Sequence, residues 1–157
     1  MTGVLYHTPA EIIAQMMDDV SLADLETTGV GDPPTEWTVF PIHLPESPEQ
    51  AILVKDTSGM VHRRIQSTGV MGEHYGIQLL ARSSEDPSTP YKKMKQILEY
   101  FDSSICRELV TLLDDENVSR TYMVHAITRI TPVVPAGNDG RRFFFSGNVI
   151  ASIELQS

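Results

Sequence analysis

The sequence predicts an α+β domain, a mainly antiparallel sheet with two α-helices on one face. Three observations predict it. In the run 142–155, Phe143, Phe145, Gly147, Val149, Ala151, Ile153 and Leu155 alternate with Phe144, Ser146, Asn148, Ile150, Ser152 and Glu154. Period two over that length is a strand with one apolar face. In the run 120–130, Tyr122, Val124, Ala126, Thr128 and Ile130 face one way and Met123, His125, Ile127 and Arg129 the other. The linker 131–141 holds Pro132, Pro135, Gly137, Asn138, Asp139 and Gly140, which break strands and make turns. The two runs therefore form a long antiparallel hairpin, the spine of one sheet. The third observation is a pair of segments, far apart in the chain, with apolar residues every three or four positions. Two such helices suffice to cover one face of a sheet.

The elements follow in order. Thr8-Pro9-Ala10-Glu11 opens the first helix, with Thr8 as cap, Pro9 at the first helical position, and Glu11 placed as in a capping box. Ile13, Met16, Met17 and Val20 carry the helix to about residue 20 and pack in the core. Removing the Thr8 hydroxyl is expected to cost about 1 kcal/mol, measurable by urea denaturation of Thr8→Ala. Residues 26–36 form a loop with Gly29, Gly31, Pro33 and Pro34. It is not a phosphate loop, for no Lys-Ser/Thr follows it.

A short strand is expected around Trp37, Val39 and Phe40, ending near Pro41. Another spans 50–56. Asp56-Thr57-Ser58-Gly59 has the wording of an aspartic-protease loop, but Lys55 precedes it and no second copy exists, so a strand end with an Asx turn is the reading. Residues 57–72 have no clean period and read as a long loop or a loose hairpin extension. Arg63 and Arg64, with Ile65, make this segment a candidate for contact with a partner; a solvated loop without a role is the alternative.

Tyr75, Ile77, Leu79 and Ala81 alternate with polar neighbours and mark a strand over 73–82. Tyr91, Met94, Leu98, Phe101 and Ile105, with Ile97, mark the second helix over 90–105, with Lys92, Lys93, Lys95 and Glu99 on its other side. Residues 108–113 make a strand, 114–117 a turn, and the hairpin follows.

Composition bounds the function. At 157 residues the chain is one domain, 1–157, long enough to bury a core without disulfide or metal. Cys106 is the single cysteine, which excludes an internal disulfide and a thiolate-rich metal site and suggests a reducing compartment. No basic-then-apolar leader and no membrane-length apolar run are visible. Twelve Lys and Arg against 21 Asp and Glu give a net charge of −9. That balance argues against tight, sequence-independent DNA binding, because phosphate contacts need cations in excess. The five histidines are scattered, none four from another, and the carboxylate runs suit solvated turns. Hence no catalytic, cofactor-binding or metal-binding residue is assigned, and no enzyme activity is expected.

Several segments in this order resemble a known family. They are Thr8-Pro-Ala-Glu-Ile-Ile-Ala-Gln15, Ile52-Leu-Val-Lys-Asp-Thr-Ser-Gly59, His74-Tyr-Gly-Ile-Gln-Leu-Leu-Ala-Arg82, the long amphipathic helix, and Tyr122-Met-Val-His-Ala-Ile-Thr-Arg129. Together they are similar to bacteriophage minor capsid or neck proteins, which resemble the tail terminators of long, non-contractile tails. The resemblance implies a sheet covered by two helices and a homo-oligomer, a hexameric ring at the head–tail junction of the virion, assembled in the host cytoplasm. It implies as partners the tail tube protein and the head connector, with DNA passing through the ring unbound and no membrane. Phe144 and Ile150, on the otherwise polar face of the last strand, are candidate ring contacts; core packing beneath a loop is the alternative. Other classes stay open: another head-completion protein, or a small α+β ligand-binding module or enzyme with a pocket between sheet and helices.

Overall fold

A computed structural model describes residues 5–25, 37–46, 48–64, 71–84, 86–102 and 108–156. The loop expected over 26–36, Ile65 and Cys106 lie outside them. The elements are α1 (Pro9–Asp19), β1 (Asp24–Leu25), β2 (Thr38–Pro41), β3 (Ala51–Arg64), β4 (Met71–Ser83), α2 (Ser88–Asp102), β5 (Glu108–Leu113), β6 (Ser119–Arg129), β7 (Val134–Asn138) and β8 (Phe143–Gln156). The strands form one sheet in the order β1-β2-β3-β4-β8-β6-β5, with β7 also paired to β8. It is a mixed α+β fold with a mostly antiparallel sheet. The exceptions are the short parallel pairs β1–β2 and β2–β3 at one edge.

Cross-strand partners share a face. The registers Val54↔Leu79↔Gly147 and Asp56↔Ile77↔Val149 therefore define one side of the sheet. Both helices lie on that side. The Asp56 carboxylate accepts the Ala10 N–H at the start of α1 (3.0 Å), and Leu98 of α2 lies against Gly147. Between them is a single core, with Ile13, Met17, Ile52, Val54, Ile77, Leu79, Ile97, Leu98, Phe101, Tyr122, Val124 and Val149 all buried. α2 packs on β4, β8 and β6, the middle of the sheet. α1 touches β1, β2 and β3 at one end of the strand order and β5 at the other. The sheet is thus curled around α1, and its two edges approach each other across that helix.

Local chemistry places the helices. Thr8 caps α1 as expected, its hydroxyl accepting from Glu11 N (3.2 Å). Asp56 takes the next orphan N–H, so the helix start is fixed to β3 by a carboxylate at its positive end. Burial pushes the Asp56 carboxyl up, against the pull of that N–H. α2 begins at Ser88, where Asp86 Oδ1 accepts the Ser88 N–H (2.8 Å) and the Thr89 N–H (3.0 Å).

The structure departs from the sequence reading in four places. First, of the two readings of residues 57–72, the described ones, 57–64 and 71–72, follow the hairpin extension and not the loop: β3 and β4 run on to pair Arg64 with Met71, interrupted by two irregularities that each add a residue to β3. Those irregularities are why the segment has no clean period.

Second, the linker 131–141 contains a strand, β7. β7 pairs Val134 with Ser146 and Asn138 with Phe143, so the hairpin continues past its two prolines to a turn at 139–142. Pro135 is tolerated because β7 is an exposed strand with a bulge beside that residue. Thr131 bridges the gap between β6 and β7 by accepting the Asn148 backbone N–H (3.2 Å).

Third, β6 does not keep one face. Val124 pairs with Ile153 but Ala126 with Ser152, so His125 is an extra residue. Beyond that bulge Ile127, not Ala126 or Thr128, turns into the core. Fourth, Lys93 is not on the solvated side of α2. It is buried, its Nζ 5.9 Å from the Trp37 ring centroid, donating to Gln96 Oε1 (3.1 Å). Burial lowers its pKa, and the nearby Asp24 opposes that shift.

Strain is visible at one turn. Ile42 has φ 75°, and His43 N–H donates to Pro41 O (2.8 Å) across it. This is the rare γ-turn with positive φ, here on a β-branched residue whose side chain is exposed. Ile42→Gly relieves the strain and loses little burial. It is expected to raise stability by about 1 kcal/mol, read as a higher urea midpoint with unchanged m.

Candidate functional site

The surfaces available for assembly are the two sheet edges, the far end of the β3–β4 ribbon, and the sheet face opposite the helices.

β5 is an edge strand, paired only with β6 among the described residues. Asp114 N–H donates to Val118 O (3.0 Å) at the β5–β6 turn. Antiparallel ladders alternate, so Leu112, Val110 and Glu108 bond to β6, whereas Leu109, Thr111 and Leu113 aim their backbone groups outward. The Leu113 carbonyl takes a hydrogen bond from His7 Nε2 (2.8 Å). Because that carbonyl only accepts, Nε2 carries the proton and Nδ1 accepts from the Tyr122 hydroxyl (2.7 Å). Tyr122 also receives the Tyr6 N–H (3.2 Å), and burial pushes its phenol up. This network ties the chain before α1 to the end of β5. It leaves the outward groups of Leu109 and Thr111 without a strand among the described residues. Leu109 and Leu113 are also 58% and 62% exposed, on the side opposite buried Val110. Native edges are usually guarded by Lys, Pro or a bulge, and β5 has none of these.

The β5–β6 turn is built on Asp114. Its Oδ1 accepts from Glu116 N and Val118 N (both 2.9 Å), and its Oδ2 accepts from Arg120 Nε (2.8 Å). The Arg120 guanidinium stacks 3.8 Å from the Tyr6 ring centroid. These donors, the Val118 N–H first, hold the Asp114 carboxyl below the usual carboxylate range. A depressed folded-state pKa stabilises the fold above the unfolded value, and that contribution is lost as pH falls through the folded one. Acid below about pH 4 is therefore expected to loosen this turn, and Asp114→Asn to remove part of the acid sensitivity. Urea midpoints followed from about pH 6 to pH 2.5 test it.

Across α1 from β5 lies the other edge. Leu25, Val39, Phe40 and Pro41 on that side, Leu112 and Leu113 on this one, His7 just before the helix, and Glu11 and Gln15 on it line a mostly apolar groove of about 290 Å³. It exists because the curl brings the edges close without joining them.

The β3–β4 ribbon leaves the sheet at its far end. β4 is paired to β8 from Tyr75 to Ser83, and β2 reaches β3 only at Ala51–Val54. From Thr57 to Arg64 and from Met71 to His74, β3 and β4 pair with each other alone among the described residues. Arg63 and Arg64 lie at the end of this arm. A two-stranded ribbon without a third layer is marginal by itself.

The predicted contacts on the last strand are separated. Phe144 and Ile150 share the open face of the sheet, both half-buried, six positions apart on β8. Ile150 lies between Gly76 and Thr128, so it is an apolar point in a row of small neighbours. Phe144 lies between Arg82 and Gly137, at the end where a connection crosses the face. Buried Arg82 donates there to the carbonyls of Pro45 (2.7 Å), Glu46 (3.3 Å), Glu49 (3.3 Å) and Pro48. Phe144 is thus the cross-strand neighbour of the arginine that holds that connection, and Ile150 lies six positions away from Phe144. Neither is near the Arg63–Arg64 arm end in register.

The sequence reading missed the β5 edge, although Leu109, Thr111 and Leu113 alternating with Glu108, Val110 and Leu112 already put apolar residues on both faces of one strand. No protein-family model matches this sequence, and no curated protein does.

Proposed function

We propose that this chain is a structural subunit of a tailed-phage particle: a tail-terminator-like neck protein whose hexameric ring caps the tail tube and joins it to the head connector. The observation that carries the reading is the pair of unlike, unsatisfied surfaces on one sheet. One is the open β5 edge with Leu109 and Leu113, and the other is the projecting β3–β4 arm. Head-to-tail contacts between two different patches generate rings when the rotation closes. The sheet with two helices on one face agrees with the resemblance drawn from the sequence. A net charge of −9 suits a bore that lets DNA pass without holding it, since like charge repels phosphate.

In this reading the protein acts by geometry and carries no catalytic residue. It works in the virion at the head–tail junction after assembly in the host cytoplasm. The test is imaging: antibody against this chain should label the neck of intact particles, and purified chain mixed with tail tubes should cap one end as a ring. Label on the capsid wall or tail tip would overturn the proposal. A small ligand-binding module is the competing reading, and the groove lined by His7, Glu11 and Gln15 is what favours it. That reading requires a bound small molecule in native mass spectra and no neck label.

A further inference from the structure

Resting on the ring reading, we infer that the subunit interface is a strand addition: the β3 side of one copy's arm adds to the open β5 edge of the next copy. Four observations carry this. The outward backbone groups of Leu109 and Thr111 offer hydrogen bonds that only another strand matches. The arm offers the complementary surface, because β3 beyond Val54 has no neighbour on its outer side among the described residues. Leu109 and Leu113 project from the edge and would be covered by an added strand.

Charge selects the partner and the direction. The arm's β3 strand ends in Arg63 and Arg64, and β5 runs into Asp114, Asp115 and Glu116, the last two exposed. Placing the arginines at that end makes the added strand parallel to β5, as β1, β2 and β3 already are at the other edge. The antiparallel alternative sets them against Glu108 alone. Two β5 edges facing each other antiparallel would match Leu109 with Leu113, but would oppose Glu108 to Asp114 on a chain of net charge −9. A second copy presenting its arm meets opposite charge; a second copy presenting its own β5 meets like charge.

The test uses the full chain in a Cys106→Ser background, with variants that keep the parent's thermal midpoint. Val61→Cys protein and Thr111→Cys protein are oxidised alone and mixed, at high concentration and low salt, with and without tail tubes. The expected result is a disulfide-linked dimer in the mixture that neither variant forms alone. It should be lost when Arg63→Glu and Arg64→Glu are added to the arm partner, and regained when Asp115→Lys and Glu116→Lys are added to the edge partner. Thr111–Thr111 cross-linking alone, or no cross-link under either condition, overturns the inference. The ring reading is scored separately by imaging the unoxidised chain on tail tubes. Rings without the 61–111 cross-link reject strand addition and leave the ring intact, whereas neither rings nor neck label rejects both.

Discussion

Replacing Arg82 by methionine is expected to destabilise the protein by about 3 kcal/mol and to free residues 42–50 from the sheet. β2 and β3 are parallel neighbours, so no tight turn can join them. The chain leaves β2 through the strained turn at Ile42 and returns across the open face to Ala51. Its carbonyls at Pro45, Glu46, Pro48 and Glu49 converge on one guanidinium. Burial pulls the Arg82 pKa down and the Arg142 charge adds to this, with Glu49, Glu46 and Asp139 opposing. Arginine nonetheless stays charged in proteins, and hydrogen bonds to a charged donor are the strong kind.

Methionine fills similar space but offers no donor, so the Pro45, Pro48 and Glu49 carbonyls must open to water, while Glu46 O keeps only its bond from Arg142 Nη1 (3.2 Å). Lysine keeps the charge but not the planar fork, and should recover less than half of the loss. Urea denaturation gives the magnitude. Hydrogen exchange gives the place: Ile42 N–H, bonded to Val54 O (2.8 Å), should lose protection before β4 and β8 do. An Arg82→Met protein within about 0.5 kcal/mol of the parent would show that the crossover holds without this residue.

The second large effect is expected at Gly147, where β8 offers no side chain and Leu98 of α2 packs directly against the strand. A Cβ there would lie 2.9 Å from Leu98 Cδ1 and 3.2 Å from Cδ2. Alanine asks only that the end of the Leu98 side chain move, and should cost about 1 kcal/mol. Valine adds two methyls to a site closed by β4 on one flank and the helix above, and should cost about 3 kcal/mol. Leu98→Ala alone leaves a cavity, at about 2–4 kcal/mol. Combined with Gly147→Val it should cost clearly less than the sum, because each change fills or vacates the space of the other. Strict additivity in that double-mutant cycle would mean that the two residues do not touch.

Much of the fold is written locally. Thr8-Pro9 starts α1 because a local hydroxyl takes the Glu11 N–H and a ring-fixed φ suits the first turn; the distant Asp56 then only adds a partner for the Ala10 N–H. The Ile77-Leu79-Ala81 and Val149-Ala151-Ile153 alternations read correctly because both strands stay regular where they pair. The β5 limits were legible for the same reason. Period breaks down at bulges. One extra residue at His125 turned Ile127 inward, and two irregularities hid the outer half of β3 among what looked like loop residues. The candidate contacts Arg63 and Arg64 were found as an isolated basic pair, yet that they end a ribbon is a matter of pairing across a distance.

What the sequence determined by itself is the set of segments whose own neighbours satisfy them: two capped helices, the alternating strands, and the acidic balance. What tertiary structure alone decided is how unlike segments meet. It set β2 parallel to β3 under an arginine clasp, buried Lys93 beside Trp37, curled the sheet around α1, and left the outer edge of β5 without a strand among the described residues. Backbone hydrogen bonds between strands carry no residue code, so partner choice and edge exposure are settled only when the whole core closes.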